Sequence, residues 1–224
     1  MFLTIPDLLD AASLAALREG LAAAQWEDGL ATTGSAGSGR KNNLQVAAAE
    51  PRLEEWRKLI VQALFRHPMM QFLVLPKRIM PPVFNRYDAG MYYREHVDYP
   101  LLAAGIGTRL RADLSFTLFL SEPGEYEGGE LVIGASDGER SVKLPAGQVV
   151  VYPASTLHRV EPVRAGARIA AVSTLQSHIR GETERALLGD MVKLLGRIEE
   201  LAPASDEARL AKKIHHNLVR LWAD

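Results

Sequence analysis

The spacing of hydrophobic positions along the chain changes twice. In "DAASLAALREGLAAAQW", residues 10–26, leucines 14, 17 and 21 fall at helical spacing with Trp26 beyond them. With Asp10 as cap and Asp28-Gly29 as terminator, the segment predicts an amphipathic helix. "EPRLEEWRKLIVQALFRHP", residues 50–68, predicts a second helix, with Leu53, Trp56, Ile60 and Leu64 on one stripe and Pro68 closing it. The glycine- and serine-rich segment at 31–43 carries too little apolar surface to order itself without a ligand or neighbour, and reads as a surface loop or a lid over a site.

From about residue 72 the helical period gives way to short β-rich runs bounded by Gly and Pro: "RIMPPVFNRY", "ADLSFTLFLS", "GGELVIG", "RSVKL", "GQVVVYP", "LHRVEPV" and "ARIAAVSTLQS". Seven or eight short strands with no intervening helix predict an antiparallel sandwich or jelly-roll barrel. In "ADLSFTLFLS", Leu114, Phe116, Leu118 and Leu120 alternate with Asp113, Ser115 and Thr117, so one face is core and the other can line a cavity. After Gly181 the helical period returns in "ETERALLGDMVKLLGRIEEL" and "SDEARLAKKIHHNLVRLW", separated by "APAS", with Ser205 or Asp206 as N-cap. The expected architecture is α+β: a double-stranded β-helix (jelly-roll) barrel at about 72–180 with N-terminal supporting helices, one domain over 1–180, and a C-terminal helical extension over 181–224.

Composition narrows the chemistry. The formal net charge is −1 and no basic run exceeds two residues, which argues against nucleic acid or an anionic membrane as partner. There is no cysteine, so thiolate nucleophiles, zinc ribbons and iron–sulfur clusters are excluded and any metal must sit on His, carboxylate and water. "MFLTIPDLLD" lacks a charged start followed by an apolar signal core, no apolar stretch approaches a membrane span, and the protein is placed in the cytoplasm.

Within "YYREHVDYP", residues 92–100, His96 and Asp98 stand two apart. On a strand both would face the same way and chelate from one edge. Two histidines and a carboxylate on one face of an octahedron are the Fe(II) site of non-haem oxygenases, so a second histidine is required from a later strand. His158 fits, because the text before it reads as a strand, a turn at Pro153, and a histidine opening the next strand. His67 abuts Pro68 at a helix end, His215 and His216 sit in the last helix, and His178 closes the final strand as the weaker competitor. Ten residues past His158 comes Arg168, a planar two-pronged donor suited to gripping a carboxylate.

H-x-D, a distant His and an Arg ten residues beyond it resemble the Fe(II)/2-oxoglutarate dioxygenases. The wider text, "FNRYDAGMYYREHVD", "RADLSFTLFLSEPGEYEGGELVI", "VKLPAGQVVVYPASTLHRVEPV" and "ARIAAVSTLQSHIR", resembles the bacterial PKHD-type hydroxylases, relatives of the prolyl-4-hydroxylase catalytic domain, over roughly residues 81–180. The resemblance implies Fe(II) on His96, Asp98 and His158, with the distal carboxylate of 2-oxoglutarate on Arg168. It further implies Tyr87 directed toward the co-substrate with Asn85 on the same face, O2 as co-substrate, and L-ascorbate (vitamin C) as reductant. The implied reaction hydroxylates an unactivated C–H of an amino-acid, peptidyl or small-molecule substrate, with succinate and CO2 released. Retention of Asp98 leaves no metal position for a halide, which favours hydroxylation over halogenation.

Tyr92 and Tyr93 are candidates for the cavity wall, and Arg109 and Arg111 for an anionic substrate or for solvent. Gly128 and Gly129 read as turn residues. The chain departs from the family pattern at Arg94-Glu95 and Tyr99-Pro100, and near Thr174, where a large aromatic is expected. The alternative reading is a non-enzymatic cupin-like protein that binds or senses a metal or small acid. The C-terminal helices, with Leu187, Leu188, Val192, Leu195, Ile198, Leu218, Leu221 and Trp222, either pack on the barrel or build a homo-oligomer.

Overall fold

The computed structural model describes residues 2–32 and 39–224, so the middle of the glycine- and serine-rich segment, 33–38, and with it the lid reading, lies outside the described residues. In chain order the elements are β1 (Leu3–Ile5), α1 (Ala11–Ala22), β2 (Trp26–Asp28), β3 (Lys41–Asn42), β4 (Leu44–Val46), α2 (Leu53–Arg66), β5 (Pro76–Ile79), β6 (Val83–Asp88) and β7 (Tyr92–His96). They continue with β8 (Leu101–Ala103), β9 (Arg109–Arg111), β10 (Leu114–Phe119), β11 (Tyr126–Gly128), β12 (Leu131–Ala135), β13 (Gly138–Val142) and β14 (Val149–Pro153). The chain closes with β15 (His158–Val160), β16 (Val163–Ser177), α3 (Glu182–Leu201) and α4 (Asp206–Trp222).

All strand pairings are antiparallel, and the strands form the two sheets of a jelly roll plus a hairpin. The larger sheet runs β1-β14-β10-β16-β6-β4-β2, with β5 and β11 also joined to the long β16; the smaller runs β13-β12-β15-β7-β3; β8 and β9 make the hairpin. The sequence reading found β12 to β15 but missed β1 to β4, β8, β9 and β11, which have two or three residues each and too few positions to show alternation.

The first helix is shorter than expected. Asp10 caps α1, accepting from the Ser13 N–H at 2.9 Å, but the helix ends at Ala22. Trp26 lies in β2, opposite Val46 of β4. Trp26 stands five residues past Leu21, off the leucine stripe, and the partner strand that captures it is twenty residues away. The second helix ends at Arg66, and Pro68 begins a separate helical turn that widens into a π-turn over Met70–Val74.

Two cores sandwich the larger sheet. On its outer side Leu17, Leu21, Trp56, Ile60 and Leu64 of the two N-terminal helices cover Leu114, Phe116, Leu118, Val149 and Val151. Between the sheets, Phe119, Leu131, Ile133, Val142, Val150 and Val163 fill the closed end of the barrel with Tyr87, Tyr126 and Tyr152. The alternation in β10 therefore separates a helix-facing apolar row from Ser115 and Thr117, which point inside the barrel.

At the far end, α3 and α4 pack on each other, and α3 also meets the π-turn segment. Ser205 caps α4, accepting from the Ala208 N–H at 3.1 Å. The C-terminus is stitched to the barrel: the Asp224 N–H donates to the His178 carbonyl at 3.0 Å, and Lys77 Nζ donates to the Asp224 carbonyl oxygen at 2.6 Å.

Candidate active site

The open half of the barrel holds a cavity of about 380 Å³, of the size that takes a small ligand. His96 and His158 face each other across the β7–β15 pair at matched register, their ring centroids 4.2 Å apart. Asp98 does not lie on the strand as expected: β7 ends at His96, and Asp98 follows in the connecting segment. It is held from elsewhere, by its own N–H donating to the Ala154 carbonyl at 3.3 Å and by Ser115 Oγ donating to its Oδ2. The other oxygen, Oδ1, is 3.9 Å from His158 Nε2.

The strand is also irregular. Between the pairs His158↔His96 and Val160↔Tyr93, β7 uses three residues where β15 uses two, a β-bulge containing Arg94-Glu95. The extra residue brings Tyr93 and His96 to the same side, and their rings stack at 3.8 Å. Arg94-Glu95, one of the departures noted in the sequence, thus lies in the bulge that re-aims the tyrosine.

Each imidazole is oriented by a carbonyl two residues earlier. His96 Nδ1 lies 2.8 Å from the Arg94 oxygen and His158 Nδ1 3.0 Å from the Thr156 oxygen, which places the proton on Nδ1 and leaves each Nε2 lone pair for a metal. Burial, and secondarily the neighbouring His158, depress the His96 pKa, so that imidazole is neutral as a ligand must be. The ligand atoms of His96, Asp98 and His158 all lie within 4.8 Å of one another, the one such group among the described residues. A neutral-nitrogen pair with one carboxylate fits Fe(II).

Arg168 enters the same cavity from β16, at register with Tyr87 of β6. It is 1% exposed, its guanidinium lies 5.3 Å from the ring centres of both Tyr87 and Phe119, and its Nε and Nη2 have no partner at hydrogen-bond geometry. A buried cation with unused, co-planar donors fits a carboxylate guest, because leaving those donors unpaired costs free energy that a charge-assisted pair recovers. Gly129 is more than a turn residue. With φ +65° it accepts the left-handed region, and a Cβ there would stand 2.8 Å from Val163 Cγ2 and 3.2 Å from Arg168 Cδ.

Tyr87 and Asn85 both line the cavity. Burial pushes the Tyr87 phenol up to about 12, against the opposing pull of Arg168, so it is a protonated donor at neutral pH. Asn85 Oδ1 is already occupied, accepting from Asn43 Nδ2 at 2.7 Å and Gln45 Nε2 at 2.9 Å, while its own Nδ2 donates to the Val83 carbonyl at 3.1 Å. Tyr93 lines the cavity; Tyr92 instead sits under the Arg94 guanidinium, 5.6 Å away. Arg111 is no free surface charge: it binds Asp113 through two contacts of 2.6 and 3.0 Å and reaches Asp224 at 3.2 Å. Arg109 is exposed on the hairpin. His67 accepts from the Met69 N–H, His178 lies beside Asp224, and His215 and His216 lie on α4, all outside the cavity.

Sequence reasoning missed three residues. Ser115 fixes Asp98, and its inward position was visible in the β10 alternation. Tyr152 stands edge-on to His158 with ring centres 5.2 Å apart, and burial with the Asp98 charge raises its pKa. Lys41 lines the cavity at 6% exposure, yet the polar text around it read as a loop.

Residues 82–175 match the model of the 2OG-Fe(II) oxygenase superfamily. Over its full length the chain is 43% identical to the full length of a PKHD-type hydroxylase from Stenotrophomonas maltophilia (strain R551-3). The chain belongs to the PKHD-type hydroxylases. Among solved structures, a Pseudomonas putida prolyl-4-hydroxylase is 20% identical, with TM-score 0.53 over 79% of this chain and 92% of that one. A Trichoplax adhaerens prolyl hydroxylase in complex with a hypoxia inducible factor peptide fragment is 16% identical, with TM-score 0.57 over 83% and 86%. These two share the jelly-roll fold. As a PKHD-type hydroxylase the chain is an oxidoreductase of the 2-oxoglutarate-dependent class, for which Fe(II), 2-oxoglutarate and O2 are the implied cofactor and co-substrates. That membership displaces the non-enzymatic binding alternative.

Proposed function

We propose that this PKHD-type hydroxylase inserts oxygen into an unactivated C–H of an amino-acid, peptidyl or small-molecule substrate, holding Fe(II) on His96, Asp98 and His158 and 2-oxoglutarate on Arg168. The observation that carries the reading is the meeting of two donor sets in one cavity. Two oriented Nε2 lone pairs from the smaller sheet and the fixed carboxylate of the segment after β7 face it on one side, and the unpaired donors of buried Arg168 face it from the larger sheet. When bound, Fe(II) and 2-oxoglutarate supply the oxidising chemistry, in which O2 is divided between the hydroxylated product and succinate with loss of CO2.

The chain's own residues do the rest. Arg168 orients the co-substrate by a charge-assisted pair, the Tyr87 phenol offers a second donor beside it, Asn85 presents a fixed amide wall, and the Tyr93 ring braces His96. L-ascorbate serves as reductant, keeping the metal ferrous. The partner is a small-molecule or peptidyl substrate rather than nucleic acid, the residues after 180 form a helical extension that supports a homo-oligomer, and the site of action is the cytoplasm. None of the described helices is long and apolar enough to cross a membrane.

The test is succinate formation by protein supplied with Fe(II), 2-oxoglutarate and O2, beside a metabolite and peptide screen for substrates that stimulate it. Asp98→Ala and His158→Ala should each abolish iron binding and turnover; retention of both would refute the metal assignment. Arg168→Ala should raise the 2-oxoglutarate KM about tenfold or more, the worth of a hydrogen bond to a charged group. An unchanged KM would remove Arg168 from the site.

A further inference from the structure

The β8–β9 hairpin belongs to neither sheet and stands at the mouth of the cavity. β8 begins three residues past Asp98, and Tyr99 and Leu102 both line the cavity. Leu102 pairs with Leu110, which is buried, and β9 packs beside β16. That face of the hairpin therefore rests on the barrel, while Leu101 and Ala103 look outward and are exposed.

The bonds that hold the hairpin together use alternate residues of β8. The Ala112 N–H donates to the Pro100 carbonyl at 3.0 Å and the Ala104 N–H to the Thr108 carbonyl at 3.0 Å, so Pro100, Leu102 and Ala104 turn their backbone groups to β9. The N–H and C=O of Leu101 and of Ala103 point to the opposite edge, where no strand among the described residues pairs with β8.

An open edge of this kind invites another strand, and proteins commonly blunt it with a charge, a proline or a bulge. From Leu101 to Gly107 the text is "LLAAGIG", with no charge and no proline, and Tyr99, Leu101 and Ile106 leave large apolar side chains in solvent. Two donors and two acceptors repeat along this edge at about 7 Å, the two-residue rise of a strand. The chemistry that matches this repeat is a second extended backbone, which a free amino acid or small metabolite does not carry.

We propose that the outer edge of β8 is a docking strand, on which an extended polypeptide segment adds as a third strand of the hairpin sheet. The residue of the segment opposite Leu102 shares its face and points into the cavity, while its neighbours lie beside the exposed Leu101 and Ala103. Resting on the proposed function, the residue carried into the cavity is the one hydroxylated, and the substrate is a residue within a chain.

The experiment selects peptides from a random octapeptide display library on full-length protein loaded with Ni(II) and 2-oxoglutarate. The selected sequences, synthesised with blocked ends, are measured by calorimetry and by amide hydrogen exchange read by NMR. In unliganded protein the Leu101 and Ala103 amides should exchange freely while those of Leu102 and Ala104 are protected; bound peptide should slow the first pair by about tenfold or more. N-methylation along the peptide should cost about tenfold in affinity at alternate positions and little between them. Ala103→Pro removes an outward N–H that the hairpin does not use, and should weaken the peptide by a similar factor while 2-oxoglutarate binds as before.

Failure to select any peptide, a peptide that binds while the Leu101 and Ala103 amides still exchange freely, N-methyl losses without alternation, or unchanged affinity in a folded Ala103→Pro would overturn the inference. So would amides already protected in the unliganded protein, and protection that rises with protein concentration would assign the edge to a second copy of this chain. Where Ala103→Pro does not fold, the N-methyl series and the exchange data on the unaltered protein decide. Binding of 2-oxoglutarate is titrated separately: its failure refutes the Arg168 reading, and the same selection on protein without metal or 2-oxoglutarate still decides β8.

Discussion

Ser115 acts on the proposed metal site through Asp98. Its hydroxyl holds one carboxylate oxygen and leaves the other beside His158. Removing such a support releases the carboxylate to other rotamers, which for metal sites costs about 10–100-fold in affinity. Ser115→Ala should therefore weaken Fe(II) binding by that factor while the melting temperature changes little, and unchanged metal affinity would show that Asp98 positions itself. Lys41 makes the opposite kind of prediction. A lysine whose folded pKa is about 8 against 10.5 binds fewer protons in the folded than in the unfolded state between those values, so its contribution rises with pH across that window and is lost as pH falls through 8. The penalty at neutral pH is at most on the order of 3 kcal/mol. Lys41→Met should be more stable than the native protein at pH 7, with the difference closing by about pH 10.5 in denaturant titrations; a variant less stable at pH 7 would mean that the lysine is structural. The meeting of His96, Asp98, His158 and Arg168 in one cavity was legible because metal and carboxylate chemistry would restrict residue type and order along the chain. Lys41 was not, because a lone lysine in polar text has the same local signal whether solvated or buried, and only the closure of β3 onto β7 separates the two.

At the scale of elements, α1 meets α2 through an absence. Gly20 is buried in α1, and a Cβ there would stand 2.7 Å from Trp56 Cζ2 and 3.2 Å from its Cε2. In an isolated helix Gly→Ala gains about 1 kcal/mol. Here the added methyl meets a rigid indole that is 2% exposed and itself packed edge-on against Phe84, ring centres 5.9 Å apart, so overpacking should win by about 1–3 kcal/mol. Gly20→Ala should lower stability in urea unfolding, and a gain would show that the helices separate at little cost. The helical stripe of α2 was readable because Trp56, Ile60 and Leu64 repeat at a period that survives any tertiary context. Trp26 was misplaced because the first local stop signal, Asp28-Gly29, comes after it, while the competing interaction, pairing of β2 with β4, is non-local. The same distinction explains the metal edge. Alternation correctly put Ser115 inside the barrel, but it could not show the bulge in β7 or the end of that strand before Asp98, since both are set by partner strands distant in sequence.

For the whole molecule, the barrel's outer apolar face is covered by its own N-terminal helices, whereas the C-terminal pair leaves large side chains bare. Leu187, Leu194 and Leu201 recur every seven residues along α3, and Leu210, Ile214 and Leu221 are exposed on α4. Leu187 and Leu194 also line a shallow groove with Met191, Leu218 and Trp222, so the bare row continues into the seam between the helices. Seven-residue spacing along a helix is the pattern that a second helix packs against, and a near-neutral chain offers little electrostatic resistance to self-association. The helices cannot satisfy this row by turning inward, because Leu188 and Ala211 already occupy their inner faces and Asp224 is tied to Arg111 and Lys77. The expected state is a dimer joined through these helices, at least 40 Å² of apolar surface per leucine being hidden to gain about 1 kcal/mol each by area transfer. Light scattering should then give twice the 24.6 kDa chain mass, falling to the single chain mass in Leu194→Glu/Leu201→Glu. A monomer at all concentrations would leave this face without a partner of its own kind, and an unchanged dimer in the double variant would move the interface elsewhere.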